Sequence, residues 1–297
     1  MPSRLAILTV AAAAAALGGC SVLSPSPTPT VTVEAVTVTT ATPSPEPVPT
    51  VTLNPDQADH DAMYARPQWL GTIPLEVQPD NLGERKPTPE ELRDRQLAPR
   101  PWLPEPESDE FASSISEVPD DVAERSTWRS ECPVGLDELR YITMTYWGFD
   151  QQPHMGEMLI HRDHAEDVVG AFETIYEGRF PIEEMRVISL EEHLSPPTGD
   201  HNVTSAFWCR QVVGTANVWS EHAKGLAVDI NPFHNPYYKG EELFPELSEA
   251  YLDRTWERDG MIYDPSIVYD AFEDMGWTWG GHWHGREDWM HFSAEGG

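Results

Sequence analysis

Basic residues are scarce. Lys and Arg number 19 against 50 Asp and Glu, a formal net charge of -31 over 297 residues. A surface of that sign repels a phosphate backbone, so nucleic acid is not an expected partner. Cysteine is scarce too, with three in all. No C-x-x-C pair is present, which argues against Cys209 as a zinc ligand. The apolar run Leu5 to Leu17 falls short of the ~20 residues that span a bilayer.

What is present begins with that run. Arg4 precedes it, and its length suits the ~7–15 residues of a secretory signal. It ends in Leu17-Gly18-Gly19-Cys20, which resembles the lipobox of bacterial lipoproteins, where the cysteine is lipidated. Residues 1–20 therefore read as a lipoprotein signal peptide with Cys20 as the lipidation site. The expected location is the extracytoplasmic face of the cell membrane. Residues 21–54 are rich in Ser, Thr, Pro and Val, a composition that buries no core and reads as a stalk. Outside the cytoplasm the two other cysteines, Cys132 and Cys209, suit a disulfide better than a metal site.

Residues 55–130 are acidic and Pro-rich. Thr88-Pro89-Glu90-Glu91-Leu92 reads as a capping box opening a helix to about Leu97. Trp69, Trp102 and Trp128 suit a segment wrapped on the following domain better than a free tail. From 131 to 297 the texture is that of a folded domain. L-R-Y-I-T-M-T-Y-W and M-G-E-M-L-I-H read as strands, as do M-R-V-I-S-L, G-L-A-V-D-I and W-M-H-F. His164 to Tyr176 has apolar positions at helical spacing, with Gly178 as its stop. Pro245 to Arg258 and Pro265 to Met275 are further helix candidates. The expected class is α+β, a small, mainly antiparallel sheet flanked by helices.

One stretch, S-E-H-A-K-G-L-A-V-D-I-N-P (Ser220 to Pro232), sets His222 and Asp229 seven residues apart. On a helix that is a rise of ~10.5 Å, too far for easy convergence on one ion. Gly225 and V-D-I favour a turn and then a strand, across which the two side chains can meet. An ordinary turn leading into a buried strand remains the plain alternative. An aspartate between Val228 and Ile230 nevertheless needs a cation or strong donors once buried. E-D-W-M-H-F supplies His291 as a third ligand and Asp288 as a carboxylate free to move a proton. Two His and one Asp leave the fourth position of a zinc ion open to water.

Taken with N-P-Y, G-W-T-W-G-G-H-W and D-W-M-H-F, this stretch resembles the M15 zinc peptidases. Within them it is most similar to subfamily C, the branch of L-alanyl-D-glutamate endolysins and D-Ala-D-Ala carboxypeptidase-like enzymes. C-P-V-G-L-D-E-L-R-Y, H-M-G-E, R-F-P-I-E-E-M-R and T-S-A-F-W-C-R extend the resemblance over roughly 130–297. It implies the hedgehog/DD-peptidase-like fold, with one zinc ion at the face of the sheet on His222, Asp229 and His291. It implies Asp288 as general base and Arg210 as the group that binds a substrate carbonyl or carboxylate, a structural ion pair being the alternative for Arg210. His154 and Ser220 are implied near the substrate, Ser220 also as packing beside the first ligand. The implied substrates are peptidoglycan stem peptides. The reading from another class is a wall-binding lipoprotein that keeps the zinc and lacks the reaction. His282 and His284 are rivals as ligands, and His234 is a candidate for the cleft wall.

Overall fold

The computed structural model describes residues 62–78, 82–213, 215 and 217–296 of the chain. The expected signal peptide (1–20) with Cys20 and the stalk (21–54) lie outside the described residues. No helix among the described residues is long and apolar enough to cross a membrane.

The chain is α+β. Strand β1 (Ser113–Ser116) is followed by a short helix, α1 (Asp120–Arg125), and then by a long hairpin of β2 (Leu139–Trp147) and β3 (Pro153–His161). β1 adds to the outer edge of β2, so residues before 130 already belong to this sheet. Helix α2 (Ala165–Glu177) comes next, burying Val168, Phe172 and Ile175 on one face as its spacing predicts. The next strand, β4, is only Glu184–Met185, followed by helix α3 (Leu190–Leu194) and by β5 (Val203–Thr204), which pairs parallel with β4. M-R-V-I-S-L therefore does not form the full strand expected of it. Arg186 turns instead to ion-pair with Glu192 and Glu184.

The C-terminal part supplies two small antiparallel sheets. β6 (Ala227–Asp229) pairs with β11 (His291–Ser293), which pairs in turn with β9 (Thr278–Trp279), and the hairpin of β7 (Tyr237–Lys239) and β8 (Glu242–Phe244) is flanked on its β7 side by β10 (Glu287–Asp288). After that hairpin run helix α4 (Ile267–Asp274), β9 (Thr278–Trp279), β10 (Glu287–Asp288) and β11 (His291–Ser293). The main core joins these parts. Ile142, Met144, Met158 and Ile160 of the hairpin pack with Phe172 of α2, Phe272 of α4, and Val228 and Phe292 of β6 and β11. The site sheet thus rests on the hydrophobic core through its inner face.

Two helix expectations fail for one reason: tertiary partners take the backbone groups. Thr88 caps no helix. Its hydroxyl donates to the Leu247 carbonyl and accepts from Ala250 N–H, and only a single 3-10 turn, Glu90–Leu92, forms. Pro245–Arg258 holds just the 3-10 turn Glu249–Leu252. The Arg258 guanidinium donates to the carbonyls of Ala250 and Arg93, and that of Arg254 to the carbonyl of His234.

The described part of the 55–130 segment is bound tightly to the domain after it. Leu92 and Leu97 pack into a second apolar cluster with Phe233, Leu247, Tyr251 and Met261, against which Trp69 lies. Arg95 is fully buried and forms a two-pronged bond to Glu183 at 2.7 and 2.8 Å. Arg66 reaches both Glu183 and Glu184 at 2.9 Å. Trp128 packs in a third cluster, but Trp102 is 49% exposed, held between the guanidinium groups of Arg100 and Arg186. Cys132 and Cys209 form a disulfide with an S–S distance of 2.04 Å, joining the stretch before β2 to the residue next to Arg210.

Candidate metal centre

Three elements bring His222, Asp229 and His291 together. His222 lies in the 3-10 turn Glu221–Lys224, whose N-cap is Ser220. The Ser220 hydroxyl accepts from His222 N–H at 3.4 Å, so its visible role is to shape the turn. Gly225 closes the turn at a φ of 71°, and a Cβ there would come within 2.7 Å of the His161 nitrogen on β3. Both demands select glycine. The chain then enters β6, which ends on Asp229. One side of Asp229 exchanges two backbone hydrogen bonds with Ser205, at 2.9 and 3.0 Å. On the other side His291 stands directly opposite it in the β6–β11 register. Opposed residues of an antiparallel pair share a face, so carboxylate and imidazole meet without any special turn.

The donor atoms are tightly grouped and buried. His222 Nε2 lies 3.1 Å from an Asp229 oxygen and 3.1 Å from His291 Nδ1, and His291 Nδ1 lies 3.1 Å from the other Asp229 oxygen. All three residues are buried. His222 Nδ1 donates to the Ala206 carbonyl at 2.6 Å, which leaves the Nε2 lone pair directed at the cluster. Burial alone would raise the Asp229 pKa, but His222 and His291 outweigh it and hold the carboxyl well below the usual range. The set fits a zinc ion. Four ligands at 2.0–2.1 Å in a tetrahedron stand about 3.3 Å apart, close to the separations present. One carboxylate and two imidazoles suit a catalytic site, which keeps its fourth position open. Among the described residues, these three alone form a group with such spacing.

Two polar groups flank the triad, each with one shielded atom that has no partner, although Arg210 Nη1 donates to the Gln211 carbonyl. Asp288 Oδ1 is shielded from solvent and accepts no hydrogen bond, and the Arg210 Nε–H is shielded and donates none. Burial pushes the Asp288 carboxyl up to about 7, against the pull of His291 and Arg210. Burial also lowers the Arg210 guanidinium, opposed by Asp229 and Asp288. These interactions put both groups within electrostatic reach of the triad. Neither forms the structural ion pair that would explain its burial.

Residues 213–294 match the family model described as D-alanyl-D-alanine carboxypeptidase. Over that stretch the chain is similar to peptidases of the M15 type. The match takes in His222, Asp229, Asp288 and His291 and stops short of Arg210. No curated protein and no solved structure matches.

The other candidate residues stand elsewhere. His154 contacts Asp150, Glu105 and the Tyr146 ring rather than the triad. His282 bonds the Asp264 carboxylate at 2.9 Å, and His284 is exposed. His234 is no cleft wall. It is fully buried, stacks on Phe149 at 4.8 Å and bonds the Arg95 carbonyl. The cavity of about 980 Å³ between α2 and α4 holds none of the site residues.

Sequence reasoning missed Gly280. A Cβ at this position would stand 2.6 Å from the Asp288 carbonyl oxygen and 2.9 Å from its Cβ. Gly280 is therefore the backstop of Asp288, and the only hint of it was a Gly-Gly pair in a loop. Gly280→Ala is expected to displace Asp288, lowering kcat by about tenfold to a hundredfold with zinc content unchanged. Kinetics beside metal analysis check this, and unchanged kcat would refute it.

Proposed function

We propose that this chain is a zinc-dependent peptidase that hydrolyses amide bonds of peptidoglycan stem peptides, held at the extracytoplasmic face of the cell membrane by a lipid on Cys20. The observation that supports it most is the buried His222–Asp229–His291 group with two shielded, unpartnered atoms, Asp288 Oδ1 and Arg210 Nε, beside it. Zinc held there supplies Lewis acidity, polarising a carbonyl and lowering the pKa of water toward about 7.

The remaining work falls to side chains. Asp288 takes the proton of the attacking water on its free Oδ1 and returns it to the leaving nitrogen. A carboxyl raised toward neutrality is suited to both acts. Arg210 donates its free Nε–H to the oxygen on which charge develops, or to a substrate carboxylate. His222, locked by the Ala206 carbonyl, keeps its lone pair on the ligand side. Bond choice within the stem peptide, between D-Ala-D-Ala release and L-Ala-D-Glu cleavage, is set by the cleft walls.

Purified protein incubated with muropeptides, with and without a chelator, tests the reading by mass spectrometry. The expected result is cleavage that the chelator abolishes and zinc restores. Free D-Ala marks carboxypeptidase action, and a cut between L-Ala and D-Glu marks endopeptidase action. Absence of chelator-sensitive cleavage would overturn the reading in favour of a wall-binding lipoprotein.

A further inference from the structure

A second cavity, of about 460 Å³, opens beside the triad and is lined by Lys239, His282, Trp283, His284, Gly285 and Arg286. Its lining carries two permanent cations and two imidazoles and no carboxylate, in a chain of net charge -31. Trp283 is the wall it shares with the metal centre, its ring centroid 5.3 Å from that of His291. The Arg286 guanidinium lies 4.4 Å from the Trp283 centroid. Stacking of that kind holds the planar fork in place while leaving its edge N–H groups available.

Pairing within the cavity is incomplete where it matters. Arg286 and His284 form no hydrogen bond or ion pair with other described residues. Lys239 keeps only a loose 3.6 Å contact with Glu242, both exposed, which is worth little. Position is fixed by the backbone. Arg286 precedes β10, and Lys239 ends β7, whose register sets Tyr237 opposite Asp288. The charge of Arg286 acts on Asp288, as does that of Arg210. A concentration of cations beside the reaction centre of an acidic chain draws anions to that point.

We propose that this cavity is an anion subsite that receives a carboxylate of the peptide substrate close to the bond cleaved. Arg286 is the main contact, and Lys239 and His284 stand at the rim. One guanidinium fork matches one carboxylate in a two-pronged bond. The subsite is distinct from Arg210 and rests on the peptidase reading above, whose substrate class it narrows to acidic peptides.

The test uses the zinc-loaded full chain and its Arg286→Gln and Lys239→Gln variants. Binding of N-acetyl-D-alanine and of N-acetyl-D-alaninamide is measured by calorimetry, and turnover is followed on N-acetyl-D-alanyl-D-alanine and on its C-terminal amide. Wild type is expected to bind the acid about tenfold tighter than the amide, a preference that R286Q removes, as fits a single charge-assisted bond. R286Q should raise KM for the acid substrate by a similar factor and leave KM for the amide within about twofold, and K239Q should do less. Equal binding of acid and amide by wild type, or equal loss of both in R286Q, overturns the subsite. An Arg286-dependent acid preference without turnover of either dipeptide or chelator-sensitive cleavage of muropeptides keeps the subsite and removes the peptidase reading.

Discussion

Alanine at position 288 is expected to lower kcat on stem peptides by about 10²- to 10⁴-fold, the usual range for loss of a general base, with one zinc still bound per chain. The two halves of that result have separate causes. Asp288 is not one of the three converging donors, so the metal keeps its ligands. The water and the leaving nitrogen lose a carboxylate oxygen that is shielded, free and within reach of the triad's charge. Asp288→Asn should lose as much, because it keeps the shape and removes the basic oxygen. Metal analysis with steady-state kinetics decides the matter. Activity near that of wild type in either variant would remove Asp288 from the mechanism.

Removal of the Glu183 carboxylate is expected to destabilise the fold by about 3–5 kcal/mol, the cost of leaving a buried charge unpaired. Glu183 is fully buried and meets Arg95, Arg66 and the Asn202 amide. Burial alone would raise its pKa, but the Arg95 charge and bond, with Arg66, hold it down to about 2. A carboxylate lowered from 4.5 contributes stability above that value, and loses it as pH falls toward 2. Glu183→Ala should unfold at lower denaturant concentration than wild type, and its stability should fall less steeply in acid. Glu183→Met with Arg95→Met should recover much of the loss, since an apolar pair leaves no orphan charge. A Glu183→Ala variant as stable as wild type would show that the Arg95 anchor is dispensable to the fold.

The site was more legible than its supports. His222, Asp229, His291 and Asp288 stand in short motifs whose residue types speak for themselves. β2, β3, α2 and α4 follow from local apolar spacing, because each turns one apolar face to the core. The failures share a different physics. The side chains of Asn231 and Asn235 bridge to Pro181, Gly260 and Ile262 deep in the fold, a role their motifs do not announce. Arg95, Arg254 and Arg258 are donors to carbonyls or to a buried carboxylate, which nothing in their sequence neighbourhood indicates. Such roles depend on partners up to 165 positions away, which no local pattern encodes. Gly280 was illegible for the same reason, since what it must avoid is Asp288.

The Arg95 bond also imposes an order of events on biosynthesis. Arg95 is made 88 residues before Glu183 and 156 before Tyr251, whose hydroxyl receives its N–H. The metal cluster completes only with His291, 69 residues after His222. Neither the Arg95 anchor nor the His–Asp–His group can close until those later residues are made. A chain interrupted before His291 therefore lacks the third member of the buried His–Asp–His group and the cross-strand partner of Asp229.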